Sequence, residues 1–369
     1  MKRRAFFLNA TGGFIVGTPL FAAVKRDGLE AAAEILKAAT ASGQIDAASL
    51  HVSQGDTVFG RVFGTAPSSV EDSVFLLASI SKTISTAAVM TLFDQGKFAL
   101  DDPVATFIPE FTGEGREKIT IRQLLTHVSG LPDQLPENAK LRAGHAPLSA
   151  FVEAAIRTPL LFAPGDRYSY SSMAILLATE VARRLGGKPF ATLVDEAIYQ
   201  PLGMKHSAMG VGRLDPASLI RNQVEFGAPE SGAGDPSTQS WDWNSDYWRH
   251  LGAPWGGAHG SAPDVARFLG EFLFASGKAL KPETARLMIR NHNAEGIRPR
   301  GLGFDLGAEL GGPGGGAKTF GHTGSTGTRC WADPDSGTIC VILTTLPARA
   351  VTPHPRDLAS RKVAEAVSS

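Results

Sequence analysis

The sequence lacks an excess of charge of either sign, since its 369 residues carry 36 Lys and Arg against 36 Asp and Glu. Proteins that bind the phosphate backbone of a nucleic acid need a surplus of basic residues, so nucleic acid is not an expected partner. The 41 glycines and 23 prolines follow no collagen-like repeat and form no low-complexity tract. The composition is that of a globular protein with one large domain or two modest ones.

Several catalytic motifs are also missing. No Gly-x-Ser-x-Gly occurs, which excludes the nucleophile turn of the α/β-hydrolases. The glycine-rich stretch 311–319 is not a phosphate-binding loop, because Ala317 separates Gly316 from Lys318. The histidines show no paired metal-ligand spacing, and His127 is expected to be a helix-capping or core residue. Neither a metal nor another cofactor is therefore expected.

Cysteine is scarce, and the two that occur flank residues 333–337, which read as a five-residue hairpin loop. If Ala332 faces Thr338 across this hairpin, Cys330 faces Cys340. A bridge in an oxidising compartment and two reduced, half-buried thiols are both compatible with that spacing, since cross-strand bridges are often strained.

The N-terminus has a composition of its own. Basic residues 2–4 precede an apolar pair and a mildly apolar, glycine-containing stretch over residues 12–23, which is too short to span a membrane. This is the layout of a signal peptide over residues 1–24, and the Arg3-Arg4 pair indicates the twin-arginine route. The alternative is a frayed basic N-terminus. We expect an exported, periplasmic or secreted protein without a stable membrane anchor after signal removal.

Hydrophobic periodicity predicts strands at both ends of the remaining chain and helices between them. Helices are expected at 27–41, 262–274 and from about 356, and strands at 47–52, 58–63, 301–309, 318–321, 327–332 and 338–345. Residues 100 to about 225 read mostly as short helices. The expected class is α/β (α+β): an antiparallel sheet lobe from 25–75 and 250–369, flanked by helices, with an inserted all-helical lobe over 76–249.

Ser79 and Lys82 stand at the start of a predicted helix over residues 79–95. Three residues is nearly one turn, so both side chains lie on the same face. The helix N-terminus disfavours a charged ammonium and favours a developing oxyanion, and a desolvated lysine can take the serine proton. A Ser-x-x-Lys pattern is expected about once by chance in a chain of this length, so the pair needs support from other motifs.

Two further groups provide that support. Tyr170 and Ser172 precede a predicted helix, and a buried tyrosine near a lysine can relay protons. The stretch 321–325 opens a strand; its glycines allow close approach of the backbone to a substrate, and a strand N–H can complete an oxyanion hole with the N–H of Ser79.

Together these motifs resemble a known family. Ser79-x-x-Lys82, Tyr170-x-Ser172 and the triplet His322-Thr323-Gly324 match, in order and spacing, the serine β-lactamase and penicillin-binding fold. The branch that they resemble contains class C β-lactamases, the related DD-peptidases and the family VIII carboxylesterases. Further agreement lies in residues 100–103, 124–132, 256–257, 264–268 and 333–334.

The resemblance implies a β-lactamase/transpeptidase-like fold and a role for each motif. Ser79 would be acylated, with Lys82 and Tyr170 sharing the base and acid roles. The N–H groups of Ser79 and Ser325 would form the oxyanion hole. The remaining motif residues would bind the substrate, namely Ser172, His322, Thr323 and Gly324.

Two departures from the family pattern bear on the substrate. The second motif usually ends in Asn, whose amide binds the acyl side chain of a β-lactam, and here it ends in Ser172. The third usually begins with Lys, which meets the β-lactam carboxylate, and here it begins with His322, which is only partly charged at neutral pH. Both changes favour a small ester or amide substrate.

Two other functions compete with this prediction. The nearer one is a β-lactamase or DD-peptidase that acts on β-lactams or cell-wall peptides. The other is a non-catalytic binding protein that has kept the fold. The presence of Ser79, Lys82 and Tyr170 together argues against the latter, because a binding protein needs none of them.

Aromatic residues cluster just before Gly256: Trp241, Trp243, Tyr247, Trp248 and Trp255. They form either an aromatic wall of an acyl pocket or ordinary packing under an irregular segment. Trp255 and the two glycines after it resemble a Trp-Gly-Gly motif of family VIII esterases, so Trp255 is also a predicted substrate-binding residue.

Overall fold

The largest layer of the protein is a six-stranded antiparallel sheet built from both ends of the chain. A computed structural model describes residues 24–67, 69–70 and 72–367. The predicted signal peptide over residues 1–24 lies, except for Val24, outside the described residues. No helix within those ranges is both long and apolar enough to cross a membrane.

The strands, numbered in chain order, are β1 Ala47–Gln54, β2 Thr57–Gly64, β3 Phe75–Leu76, β4 Ala208–Met209, β5 Ala258–Gly260, β6 Asp305–Leu306, β7 Phe320–Gly324, β8 Thr328–Asp333 and β9 Thr338–Thr344. The main sheet has the order β2-β1-β9-β8-β7-β6. Because β1 pairs with β9, the N-terminal hairpin and the C-terminal strands form one sheet. The predicted antiparallel sheet is therefore confirmed.

A second sheet has the order β3-β5-β4. Its strands are two or three residues long, which is too short for the period of two to show in the sequence, and the sequence did not predict them. The sheet matters for the site because β3 ends just before Ser79 and β5 begins just after Gly257.

The α-helices are α1 Arg26–Ala41, α2 Ile80–Asp94, α3 Ile121–Leu125, α4 Asn138–Ala143, α5 Leu148–Arg157, α6 Ser172–Gly186, α7 Phe190–Val194, α8 Asp246–Leu251, α9 Ala262–Phe274, α10 Pro282–Met288 and α11 Pro355–Val367. Helices α1 and α11 cover one face of the main sheet, where Leu36, Leu50, Trp331 and Val363 share a core. The other face packs against α9 and α2 in the larger core, which continues into the helices between α2 and α8.

Helix α2 lies at the centre of the larger core. Every residue from Ile80 to Leu92 is buried, the polar ones included. A helix that is enclosed on all sides has no solvent face and therefore little amphipathic pattern. Its position fixes the residues at its N-terminus, since α2 contacts α6 on one side and the main sheet on the other.

One predicted strand is largely wrong. Residues 301–309 form a strand only over Asp305–Leu306. Gly303 and Gly307 have φ angles of 78° and 109°, outside the extended region in which strands form. The apolar alternation around them therefore belongs to a turn that packs against the core.

The two cysteines do not face each other. Trp331 pairs with Cys340, and Cys330 pairs with Val341. The predicted register was one residue out, because Asp333 pairs with Thr338 and leaves a loop of four residues instead of five. Since adjacent residues of a strand point to opposite faces, Cys330 lies in the larger core and Cys340 under α1 and α11. Both thiols are free.

We predict that both thiols react with iodoacetamide once the protein is unfolded without reductant. In the native protein the reaction should be slow, because both side chains are buried and burial raises the pKa of Cys330 to about 12. Intact-mass measurement before and after unfolding checks this. A protein that gains no adduct after unfolding would contain the bridge that the register excludes.

Candidate active site

Ser79 lies directly before α2, at the end of a strained turn. Its neighbour Ala78 has a φ angle of 48°, in the left-handed region that non-glycine residues rarely adopt. Ser79 is half-buried and borders two cavities, of about 310 Å³ and about 150 Å³. The turn thus holds its hydroxyl where both cavities meet, and local strain of this kind clusters at functional sites.

The turn is fixed by the hairpin of β7 and β8. The Thr326 hydroxyl donates to the carbonyl of Leu76 at 2.8 Å, and the Thr328 hydroxyl to that of Leu77 at 2.9 Å. The approach is so close that a Cβ atom on Gly324 would lie 2.5 Å from the Leu77 carbonyl oxygen and collide with the Thr328 hydroxyl. Only glycine fits at this position without displacement of the backbone.

Lys82 lies one turn into α2 and faces Ser79. Its Nζ is 3.0 Å from the Ser79 Oγ and donates to the Trp255 carbonyl at 2.7 Å. The side chain is 1% exposed. Burial lowers the pKa of Lys82 to about 8; the nearby charge of Asp133 opposes this, and that of Arg300 adds to it. The amine is therefore neutral in an appreciable fraction of molecules near neutral pH.

Tyr170 comes from the segment before α6 and lies over Lys82. The Lys82 Nζ is 4.8 Å from the centre of the Tyr170 ring. The ring is half-buried, but the hydroxyl is fully buried and has no hydrogen-bond partner among the described residues. Burial raises the pKa of Tyr170 well above its usual value, while the Arg300 charge and the neighbouring Ser79 hydroxyl oppose that rise. Tyr170 is therefore a neutral phenol that borders both cavities with Ser79.

His127 holds the residues on both sides of Tyr170. Its carbonyl accepts from the Ser169 N–H at 2.9 Å, and its Nδ1 accepts from the Ser171 N–H at 3.2 Å. The centres of the His127 and Tyr170 rings are 4.7 Å apart. His127 is buried, with a φ angle of 61°. Burial lowers its pKa well below the usual value, so it is a neutral core histidine, as the sequence suggested.

Ser79 and Ser325, whose N–H groups are the predicted oxyanion-hole donors, both border the two cavities. In the part of the chain that the structure describes, neither donates a backbone hydrogen bond. The Ser325 carbonyl accepts from the Ala348 N–H at 2.9 Å, which holds the loop in place. Two uncommitted N–H groups beside a nucleophile can stabilise an oxyanion.

His322 borders the larger cavity with Thr323 and Gly324, but both of its nitrogens are already engaged. Nδ1 lies 2.7 Å from the Thr323 carbonyl, and Nε2 lies 2.9 Å from a guanidinium nitrogen of Arg300. Because a carbonyl only accepts and a guanidinium only donates, the proton is on Nδ1 and the ring is neutral. Burial lowers the pKa of His322 to about 4, so it carries no charge at neutral pH, in contrast to the partial charge expected from the sequence.

Sequence reasoning missed Arg300, which is fully buried beneath this cavity. It pairs with Asp305, and its Cζ lies 5.8 Å from the Tyr170 ring. It thus brings a fixed positive charge into the site from below. Arg298, two residues earlier, is 57% exposed and reaches the same cavity over the Tyr168 ring. No motif marks either residue, because their segment is irregular.

Ser172 is committed to a partner that the sequence did not indicate. Its hydroxyl donates to Asp133 Oδ1 at 2.6 Å, and its N–H donates to the same oxygen at 2.9 Å. The predicted contact of the Ser172 hydroxyl with a substrate is therefore in competition with Asp133. Both residues line the smaller cavity.

The aromatic cluster divides between the two alternatives left open by the sequence. Trp243, Trp248 and Trp255 line the smaller cavity as an aromatic wall. Tyr247 instead stacks on His145 with ring centres 4.8 Å apart and donates to the Ala146 carbonyl, which is structural packing. Within the described ranges, no group of three or more His, Cys, Asp or Glu side chains is placed to hold a metal ion.

We predict that Gly324→Ala lowers the free energy of unfolding by about 1–3 kcal/mol, the usual range for an overpacked site, and strongly reduces turnover, because β7 must move away from residues 77–79. Urea unfolding and ester hydrolysis measure the two effects. The control is Gly270→Ala in α9, where the nearest atom would be 3.8 Å away and the change should be neutral or stabilising. Wild-type behaviour of Gly324→Ala would show that the close approach does not matter.

The chain is similar to known proteins over most of its length. The family model described as beta-lactamase matches residues 32–365. Esterase EstB of Burkholderia gladioli is 31% identical over 296 residues, which cover 71% of this chain and 74% of that protein. The D-alanyl-D-alanine-carboxypeptidase/endopeptidase AmpH of Escherichia coli strain K12 is 32% identical over 146 residues, 36% of each chain.

Solved structures agree on the fold. The crystal structure of a family VIII carboxylesterase superposes with a TM-score of 0.74 at 19% identity, covering 94% of this chain and 99% of that one. An identity this low shows the fold alone. The family model and the esterase show more: the chain belongs to the beta-lactamase family, whose members related to it are serine hydrolases.

Proposed function

We propose that this protein is a serine hydrolase that forms an acyl-enzyme on Ser79 and cleaves a small ester or amide. The observation that carries the proposal is the 3.0 Å contact between Ser79 Oγ and the Nζ of Lys82, a lysine whose pKa is lowered to about 8. A serine hydroxyl is a weak nucleophile until an adjacent base takes its proton, and Lys82 meets that need in position and in protonation state.

In the first step, neutral Lys82 takes the Ser79 proton while Oγ bonds to the substrate carbonyl carbon. With a pKa of about 8, about a tenth of the lysine is neutral at pH 7. The N–H groups of Ser79 and Ser325 would stabilise the oxygen on which negative charge develops. Departure of the leaving group needs a proton, and the neutral Tyr170 phenol, which lies beside Lys82, is suited to donate or relay it.

In the second step, a water molecule or another acceptor alcohol attacks the acyl carbon, and its proton passes to the same pair. The bond between Ser79 Oγ and the acyl carbon then breaks, and Ser79 regains its proton. Lys82 and Tyr170 thus share the base and acid roles, with Lys82 as the primary base because the raised pKa of Tyr170 disfavours a phenolate.

The walls of the site support an ester or amide over a β-lactam. His322 is neutral, and the Ser172 hydroxyl is engaged by Asp133, so neither residue reproduces the anchors that bind a charged β-lactam in the family. The name of the similar protein EstB, an esterase, points the same way. Thr323, Gly324 and Trp255 would complete the substrate contacts.

One observation favours the second candidate, a β-lactamase or D-Ala-D-Ala peptidase. The guanidinium of Arg298 reaches the larger cavity and is 57% exposed. A cation there can meet the carboxylate that both substrate classes carry. The assay below therefore includes a β-lactam.

We also propose export as the location. Residues 1–24 have the composition of a signal peptide with a paired-arginine motif. The mature protein would then comprise residues 25–369 as one hydrolase domain with a sheet lobe and a helical lobe, in the periplasm or the external medium.

We predict that the purified protein hydrolyses p-nitrophenyl butyrate and that Ser79→Ala abolishes this turnover, because no other group replaces the nucleophile. A fluorophosphonate probe should attach to Ser79, as peptide mass spectrometry can show. Nitrocefin should be a poor substrate. Undiminished turnover by Ser79→Ala, or an adduct on another residue, would refute the assignment, and rapid nitrocefin turnover would favour the second candidate.

We predict that kcat/KM rises with pH through about 8 and levels off above it, because only neutral Lys82 can act as the base. No fall is expected below pH 10, since the pKa of Tyr170 is raised well above its usual value. Lys82→Arg should lose activity by about 10³-fold, within the usual range for a general base, and should lose the rise near pH 8. A variant that keeps this rise would exclude Lys82 as the titrating group.

A further inference from the structure

The smaller cavity at Ser79 has charged groups that the reaction steps do not use. In addition to Lys82 and the aromatic wall, its lining contains Asp133, Arg142 and Glu230. At about 150 Å³ it is the smaller of the two cavities that meet at Ser79. A small acyl group fits this volume. The charged side chains that line the cavity therefore determine whether the bound acyl group carries a positive or a negative charge.

Arg142 is covered by an aromatic ring, but it forms no ion pair among the described residues, and its Nε is buried without a hydrogen-bond partner there. The side chain is 2% exposed, its Cζ lies 3.8 Å above the Trp248 ring, and it donates to the Glu230 carbonyl. Burial lowers the pKa of Arg142 to about 10, and the negative charge of Glu230 opposes that fall. Arg142 therefore remains a cation, and Glu230 is the charged residue with the largest effect on its pKa.

Asp133 has no ion pair in the described ranges either. One carboxylate oxygen, Oδ1, accepts both hydrogen bonds from Ser172, which fixes the group at the cavity wall. Among the residues that the structure describes, no cationic side chain lies within ion-pair distance of Asp133. Asp133 interacts with the charge of Lys82: of all charged groups, it has the largest effect on the pKa of Lys82. When Lys82 is neutral and able to take the Ser79 proton, the Asp133 carboxylate has no counter-charge.

We propose that Asp133 binds an ammonium group on the acyl part of the substrate, so that the preferred substrates are short α-aminoacyl esters or amides. The inference rests on the proposed function and names the substrate class of the same site. An ammonium beside Asp133 supplies the missing counter-charge, and the aromatic residues Trp243 and Trp255, which can interact with a cation, line the same cavity. A bound cation would also favour the neutral form of Lys82, because like charges disfavour each other.

The test compares three benzyl esters at pH 7: alanine benzyl ester in both enantiomers, benzyl propionate, and monobenzyl succinate. The first carries an ammonium, the second replaces it with hydrogen, and the third carries a carboxylate. Release of benzyl alcohol gives kcat/KM for each. We expect one alanine ester to exceed the propionate by about tenfold or more, as a charge-assisted hydrogen bond supplies.

The decisive quantity is the ratio of kcat/KM between the preferred alanine ester and benzyl propionate. Asp133→Asn keeps the oxygen that accepts from Ser172 and should lower this ratio about tenfold or more. Its effect on Lys82 acts on both substrates and cancels in the ratio. The matched control is Glu137→Gln, which removes one acidic charge four residues away at a side chain outside the cavity and should leave the ratio unchanged.

Three outcomes would overturn the inference: no preference for either alanine ester, a ratio unchanged by Asp133→Asn, or a preference for monobenzyl succinate. The last would mean that Arg142 binds a substrate carboxylate in this cavity. Ser79→Ala separates this failure from a failure of the proposed function. If benzyl propionate hydrolysis survives in Ser79→Ala, the proposed function is wrong. If it is lost while the ratio is unaffected by Asp133→Asn, only the specificity is wrong.

Discussion

Burial of the Lys82 amine is the physical constraint on which the rest of the site depends. Removing an ammonium from water disfavours its charged form, and Lys82 is only 1% exposed. Lys82 also lies in the first turn of α2, where the positive end of the helix dipole disfavours a cation. The protein limits this penalty with two neutral acceptors, the Trp255 carbonyl and the Ser79 hydroxyl. The lysine is thus kept near the point at which it can lose its proton while it faces the Ser79 hydroxyl.

The architecture explains how that arrangement is held. Two hydrogen bonds hold residues 254–258 along α2: Ser85 donates to the Pro254 carbonyl, and Ser81 accepts from the Ala258 N–H. A third joins the Ala258 carbonyl to the Leu77 N–H before the helix. These contacts set the Trp255 carbonyl over Lys82. Residues 254–258 lead into β5, whose pairing with β3 holds the turn before Ser79. Ser81, which lies between Ser79 and Lys82 in the Ser-x-x-Lys motif, is therefore a structural residue.

Much of this could be predicted from the sequence, because chemistry and local structure coincide in short motifs. The Ser79–Lys82 spacing, the longer strands of the main sheet and the helix over Ala262–Phe274 follow from periodicity and from residue types. Asp133 and Arg300 could not be predicted, since Asp133 contacts Ser172 and Arg300 lies near the Tyr170 ring, each far along the chain. The cysteine register was missed because Asp333 joins the ladder instead of the loop.

The central claim is that Lys82 in the resting enzyme titrates about two pH units below an exposed lysine. Its most direct test is an NMR titration of the protein labelled with ¹³C at the lysine Cε, compared with Lys82→Met to assign the signal. The account predicts one signal, absent from the variant, with a midpoint near pH 8. If every lysine signal titrates at about 10.4 or above, the value for an unperturbed side chain, burial does not prepare Lys82 as a base and the account fails.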